Sequence, residues 1–430
     1  MGVHFVKILY LTHQYFPRHV GGTEMYVRGV ATRARSRGHE LRIVTAVESP
    51  SGDPDAFGPR EIEVDGIPVT ELHYNLSVAP DPARFEFDNA FLGDAIRREI
   101  ASFGPDVVHA VHTMKLSGSA LDACHAAGAP VVATLCDFWY ICPRHTLLKW
   151  DGSLCRGPEH DLYCAPCLKA THGFSTDQDA PAIRARNPYL RDALLRCSRI
   201  IALCGFQKQR FVEHGYPPGR IEVIPHGLDT TGLMTRARRA ARPVRVAFIG
   251  SLARHKGPHV LVEAVLRAPE LDIECLIHGA ADGKDEYTQS LKVLASGDPR
   301  IHFRGAFPPE RTATVLDEAD LLAVPALWFE NEPLVMKAAL HIGLPILASN
   351  LGSLPVMLRG YQTGWLAPAG DVPAWTSALR DAVPRVGTLD PAPVPMKSMD
   401  QHAEEMLGLL MEVRHGHDTN DTPDRSPRHG

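Results

Sequence analysis

Short apolar runs recur along the chain, each followed by a polar or glycine-containing stretch and then by apolar residues at helical spacing. Lys7–Thr12 (KILYLT) is the first run and reads as a strand. From Thr23 onward Met25, Val27, Val30, Ala31 and Ala34 mark one helix face, and Gly38 stands where a helix C-terminus favours glycine. The alternation continues with strands at 41–45, 107–111, 131–135, 200–203 and 221–224, and helices at 118–127 and 206–214. After a break near 227–243 a second series begins. It places strands at 244–249, 273–278, 301–304, 321–325 and 345–349, and helices at 258–266, 286–295, 334–342 and 372–383. A connector with Pro384, Pro391, Pro393 and Pro395 leads to an amphipathic helix at 401–413.

Strands alternating with helices predict parallel βαβ units, because a parallel pair needs a crossover. The expected class is therefore α/β, with two doubly wound Rossmann-like domains facing across a cleft. The expected division is 1–226 (with a cysteine-rich insertion at 142–167), a linker at 227–243, 244–396, a helix at 397–413, and a disordered tail at 414–430. Ligands of such domains bind beyond the carboxyl ends of the strands.

Composition narrows the classes. At 430 residues the chain exceeds one core. With 44% hydrophobic and 22% charged residues it is neither disordered nor fibrous. A net charge of −5 argues against a bulk nucleic-acid binder. No run of about 18 apolar residues exists to cross a membrane. The start MGVHFVKILYL lacks a secretory signal, and Val6 stands where myristoylation wants Ser or Thr. These features predict a cytoplasmic protein. The segment TRARRAARP and the nearby Arg245 read as a solvated linker, the alternative being peripheral contact with the inner face of a membrane.

Three loops carry candidate chemistry, each between a strand and a helix. Pro17–Glu24 (PRHVGGTE) offers Gly21 and Gly22 for close backbone approach at a helix N-terminus. Gly250–Gly257 (GSLARHKG) sets Arg254 and Lys256 where a diphosphate could bind. In Leu327–Leu340 (LWFENEPLVMKAAL), Pro333 fits a first helical turn, the amides of Leu334 and Val335 face an anion, and Glu330 accepts hydroxyl hydrogens. The alternative for each is ordinary helix punctuation. Asp53-Pro54-Asp55 reads as a turn and not as a metal-holding Asp-x-Asp. Cys142, Cys155, Cys164 and Cys167 form C-x12-C-x8-C-x2-C in a stretch with little to bury. A tetrahedral structural zinc would fold it, with an iron–sulfur cluster or free thiols as alternatives. Nine clustered cysteines do not suggest a secreted disulfide scaffold.

Taken in order, PRHVGGTE, DVVHAVH, GSLARHKG, WFENEPLV, GLPILASNLGSLPVML and GWLAPAGD resemble the family 4 glycosyltransferases, which have the GT-B fold. The resemblance spans about residues 5 to 413 and extends to a subgroup with cysteines after an HDYW-like segment. It implies an N-terminal acceptor domain, a second domain for a nucleotide sugar, and a final helix, 397–413, that crosses back onto the first domain. It implies retaining transfer without a catalytic metal to a glycan, lipid-linked or small-molecule acceptor, in a setting such as polysaccharide biosynthesis. Lys256 matches the family lysine on the diphosphate, and Ser251 stands where the family often has arginine. Glu330 matches the first glutamate of an E-x7-E pair whose second position is Ala338, with Glu332 nearby. Where the family usually has a histidine near the reacting sugar, Cys136 stands, followed by Asp137. Asp137, His109 and His112 are the candidates to replace it. The alternative is a catalytically degenerate GT-B protein serving as a sugar-binding or partner subunit, and a GT-B epimerase is a third option.

Overall fold

The computed structural model describes residues 5–49, 58–76, 79–157, 162–174, 178–235, 242–280, 286–388 and 393–420. The chain divides into two units, Met1–Gly227 together with Met399–Gly430, and Leu228–Ser398.

The first unit holds eight strands: β1 (Lys7–Thr12), β2 (Glu40–Glu48), β3 (Gly58–Val64), β4 (Ile67–Tyr74), β5 (Val107–Val111), β6 (Val131–Leu135), β7 (Arg199–Ala202) and β8 (Ile221–Val223). They pair in the order β3-β4-β2-β1-β5-β6-β7-β8, all parallel except the β3–β4 hairpin. Central strands β5 and β6 are buried at every residue, as expected where helices cover both faces. The edge strand β3 alternates towards solvent, so it needs less apolar content. Its turn, Asp65-Gly66, has φ of 53° and 74° at the two central residues, the left-handed pair that joins a tight hairpin.

The first helix, Gly22–Ser36, and the last, Met399–Asn420, share one core. Tyr26, Val27, Val30 and Ala34 pack with Ile8, Tyr10, Met406, Leu410 and Val413. Each of the buried Val, Ile, Leu and Met side chains among these contributes about 1.5–3 kcal/mol. Gly29 makes room for Met399, whose sulfur would lie 3.0 Å from an added Cβ. Arg33 closes the contact with a 2.8 Å bond to Asp400. The chain thus leaves the first unit, builds the second, and returns to complete the core of the first.

The second unit has six parallel strands: β9 (Val244–Ile249), β10 (Ile273–His278), β11 (Ile301–Gly305), β12 (Leu321–Val324), β13 (Ile346–Ser349) and β14 (Gly364–Ala367), ordered β11-β10-β9-β12-β13-β14. The two-residue period of a strand assigns side chains to faces. Val246, Phe248, Leu321, Ala323 and Leu347 meet Val260, Leu261 and Trp375 on one face. Ala247, Leu322, Ile346 and Ala348 meet Met336, Ala338 and Leu340 on the other. Arg245 leaves the arginine-rich group by pairing with buried Asp320 at 3.0 and 3.1 Å.

Several expectations change. The β3–β4 hairpin, the helices Ala90–Phe103 and Ala180–Leu195, and strand β14 had not been read from the pattern. The helix beginning at Val372 runs to Arg385, taking in Pro384 at its end. The last helix continues to Asn420, so the tail expected to be disordered from 414 is helical for its first residues. Arg236, Arg238 and Arg239, the Asp53-Pro54-Asp55 turn, Pro391 and residues 421–430 lie outside the described residues. Among the described residues no helix is long and apolar enough to cross a membrane.

His109 lies on β5, fully buried between the rings of Tyr10 and Tyr26. Its Nε2 meets Thr134 Oγ1 at 2.8 Å, while Nδ1 is buried without a partner. Burial, with a smaller effect of His402, pushes its pKa down to about 3. The unfolded chain therefore takes up a proton below the ordinary range of histidine that the folded state refuses. Stability is full above that range and falls as pH drops. Between pH 7 and 5 the share from His109 should be about 2 kcal/mol. Urea unfolding of His109→Asn at both pH values should show a shallower loss by about that amount; equal slopes would locate the proton uptake elsewhere.

Candidate functional site

In both sheets the strand order reverses once, between β1 and β5 in the first unit and between β9 and β12 in the second. At such a seam the loops leaving neighbouring strands part to opposite faces, which leaves a crevice at the carboxyl ends. Several of the residues singled out in the sequence stand in the loops at these two places, among them Lys256 after β9, Glu330 after β12, His112 after β5 and Gly21 after β1.

In the second unit the loops after β9 and β12 are locked together. Leu327 N–H donates to the His255 carbonyl at 2.8 Å. Gly257 has φ 73°, and a methyl group there would run into the Pro325 carbonyl oxygen. This close approach brings Lys256 Nζ to 2.7 Å from Glu330 Oε1 and to 4.6 Å from the centre of the Trp328 ring. Trp328 Nε1 donates to the same carboxylate oxygen at 2.7 Å. Glu330 is buried, and its backbone is held by the Ser353 amide at 3.1 Å, with Gly352 lying close at φ 63°. Lys256 remains about a quarter exposed, so its charge is available at the seam.

Pro333 stands at the N-cap of the helix Leu334–His341, one residue before the turn in which it was expected. By helix geometry the Leu334 and Val335 amides have no intrahelical acceptor. Ser251 and Arg254 are exposed, and Arg254 makes no ion pair among the described residues. Arg254 also lies near enough to His259 to help burial push that imidazole down to about 4. Ala338 is buried among Met336 and Leu340, so the second acidic position faces apolar core. Glu332 does not replace it, because it forms a buried 2.7 Å pair with Lys337.

In the first unit Asp137 follows β6, and its Oδ2 lies 2.9 Å from His112 Nε2. Its Oδ1 accepts the Trp139 amide at 2.8 Å. Burial raises the Asp137 pKa, but His112, His145 and the Trp139 amide outweigh it and hold it below the usual carboxylate range. Gln207 fixes the turn, donating to the carbonyls of Leu135 and Asp137 at 3.1 Å. Cys136 is directed to Thr23 and Tyr26, and burial drives its thiol far up, so it stays protonated. His109 points into the core described above, away from any role at the seam. Gly21, extended at the N-cap, and Gly22, which opens the helix, are both exposed. Glu24 folds back over Gly21, where a side chain would collide with its carboxylate. Sequence reasoning missed His13, Glu24 and Lys115. The signal was His13 itself, a polar residue directly past β1 just as His112 is directly past β5.

The cysteine segment is tied by its own backbone, with the Cys142 amide donating to the Phe138 carbonyl and the Cys155 amide to the Leu147 carbonyl, each at 2.8 Å, and a hydrogen-bonded group stands just before it. Buried Arg186 binds Glu86 Oε2 at 2.8 Å and the Trp139 carbonyl at 3.0 Å, and Trp139 Nε1 donates to Glu86 at 2.8 Å. Cys164 is close enough to Cys142, Cys155 and Cys167 for a charge on one to be felt by the others. Yet among the described residues no three His, Cys, Asp or Glu side chains gather to hold an ion. The zinc expectation therefore finds no ligand shell in this geometry.

The family description "Glycosyltransferase Family 4" matches residues 20–231, and "Glycosyl transferases group 1" matches 243–383. The D-inositol 3-phosphate glycosyltransferase of Corynebacterium efficiens is 30% identical over 246 residues, 51% of this chain and 58% of that protein. This chain thus spans little more than half of that relative. The D-inositol 3-phosphate glycosyltransferase of Corynebacterium glutamicum is 26% identical over 382 residues, covering 84% and 82% of the two chains. Among solved structures, Anabaena Alr3699/HepE in complex with UDP superposes with a TM-score of 0.61 at 17% identity, over 96% of this chain and 99% of that one. At that identity the likeness concerns the fold, two parallel α/β domains of the GT-B type.

The lock between the two loops makes a direct prediction. Gly257→Ala should cost roughly 2–4 kcal/mol through a strained φ and a carbonyl clash. Gly297→Ala, where nothing lies within 4 Å of the added Cβ, should be near neutral in the same urea unfolding series. Equal stability of the two variants would show that the loops are not held by this approach.

Proposed function

Because the chain belongs to glycosyltransferase family 4, we propose that it transfers a sugar from a nucleotide-sugar donor to a hydroxyl of a small-molecule acceptor, retaining anomeric configuration and using no metal for the transfer. The observation that carries this reading is the Lys256–Glu330–Trp328 group on the locked loops of the second unit. The bond from the anomeric carbon to the diphosphate breaks as a bond to the acceptor oxygen forms, and the acceptor's proton leaves with a diphosphate oxygen. The developing negative charge needs fixed positive partners. Lys256, Arg254 and the amides of Leu334 and Val335 are of the right type, and Ser251 adds a hydroxyl beside them. Glu330 accepts from sugar hydroxyls. In the first unit Gly21 and Gly22 allow close approach, and ionised Asp137 orients a hydroxyl directly or through His112. The named relatives support a small hydroxylated acceptor over a polymer.

A second reading is favoured by one observation. Ala338 turns an expected carboxylate position into core, which removes a partner for the ribose hydroxyls. On that reading the protein binds sugars or a partner chain without transferring.

Calorimetry with UDP, ADP and GDP separates the two. Micromolar binding of one nucleotide is expected, and Lys256→Ala should weaken it by about 10-fold to 100-fold, since a charge-assisted bond is lost. An unchanged affinity would remove Lys256 from the site. No binding by the wild type to any of the three would favour the second reading.

A further inference from the structure

At the seam of the first sheet two imidazoles lie against each other between two carboxylates. β1 and β5 are neighbours with Thr12 opposite Val111, so the next residues, His13 and His112, leave the sheet side by side. Their ring centres are 4.2 Å apart. Beyond His112 lies Asp137 at 2.9 Å, and beyond His13 lies Glu24, with Nε2 and Oε1 3.6 Å apart. Two features of this row carry a free-energy cost. His112 takes a left-handed backbone, φ 61°, at a cost of about 1–3 kcal/mol for a residue other than glycine. His13 is 8% exposed, and its Nδ1 is buried with no hydrogen-bond partner. Such costs persist where function needs the geometry.

The chemistry of the vacant nitrogen follows from its neighbours. The Glu24 carboxyl, 3.6 Å from Nε2, favours the neutral tautomer with its proton on that nitrogen, which leaves Nδ1 as a lone-pair acceptor. Burial above all, and then the positive charge that His112, Lys115, His145 and His19 can carry, holds the His13 pKa well below the ordinary imidazole range, so the ring is neutral. A neutral acceptor beside a cationic lysine selects a group that donates a proton without bringing positive charge. A hydroxyl fits; an ammonium does not.

We propose that His13 accepts a hydrogen bond through Nδ1 from a hydroxyl of a sugar or polyol substrate, with Glu24 and His112 as positioning residues. This rests on the transferase reading above, which supplies the hydroxylated substrate.

The test uses the full chain with histidines labelled by ¹⁵N, titrated separately with myo-inositol, glucose and UDP-glucose. The His13 Nδ1 resonance, identified by its loss in His13→Phe or His13→Asn, should move with at least one of these probes. No movement with any of them would overturn the proposal. In parallel, His13→Phe keeps a ring against His112 and removes the acceptor, whereas His13→Asn restores a polar atom near the Nδ1 position. His13→Phe should bind UDP within about twofold of wild type yet lose sugar transfer or donor hydrolysis by at least about 30-fold, with part of the rate returning in His13→Asn. Full activity of His13→Phe would also overturn the proposal. If the wild type binds no nucleotide, the transferase reading fails while the myo-inositol and glucose titrations still decide on His13. If His13→Phe does not fold, the wild-type titration decides, with His13→Asn supplying the assignment.

Discussion

A parallel sheet whose strand order reverses cannot cover its own seam. Right-handed crossovers send the chain after one strand to one face and the chain after its neighbour to the other. The crevice between them is therefore imposed by topology before any side chain is chosen. Both units of this protein have such a seam, and the costly features of each collect there. In the first unit these are the left-handed His112, the unpartnered Nδ1 of His13, the buried carboxyl group of Glu24 and the largely covered one of Asp137. In the second they are Gly257 against a carbonyl, Gly352 against the Glu330 backbone, and Glu330 itself. The strands behind the seams are apolar on both faces and carry the stability that tolerates these costs.

The legible parts of the sequence were those under the strongest burial. Strands β1, β5, β6, β9 and β10 fall on the residues their apolar runs mark, because a strand covered on both faces must be largely apolar. Strand β3 escaped notice for the converse reason, since an edge strand can alternate Arg60, Glu61 and Glu63 with partly covered residues. Its Asp-Gly turn was the available signal. The site divides along the same line. Lys256 and Glu330 stand in loops whose composition is itself informative. His13, Glu24 and His112 are meaningful only together, and what joins them is the pairing of β1 with β5 across almost a hundred residues of chain. The cysteine spacing shows the opposite limit. It brings four thiols into one neighbourhood, yet among the described residues no three of them gather as a ligand shell.

The Lys256–Glu330 pair gives the second unit a property that neither residue would have alone. Without a ligand the lysine charge is balanced by a buried carboxylate, and the carboxylate is occupied by the lysine and by Trp328 Nε1. A diphosphate competes for the lysine far better than water does, because it offers several charged oxygens to a partly exposed ammonium. On the proposed function, Lys256 would turn to the diphosphate and release an acceptor position on Glu330 while Trp328 keeps the carboxylate in place. A hydroxyl-bearing group attached to that diphosphate would be the natural replacement. Diphosphate and sugar would thereby be recognised in one linked exchange, and a free sugar, unable to draw Lys256 away, would meet an acceptor already in use. On the proposed function this coupling would favour the intact nucleotide sugar over its parts. It would also assign affinity to the loop lock at Gly257, since the exchange works only while the two loops hold Lys256 and Trp328 each at hydrogen-bond length from Glu330.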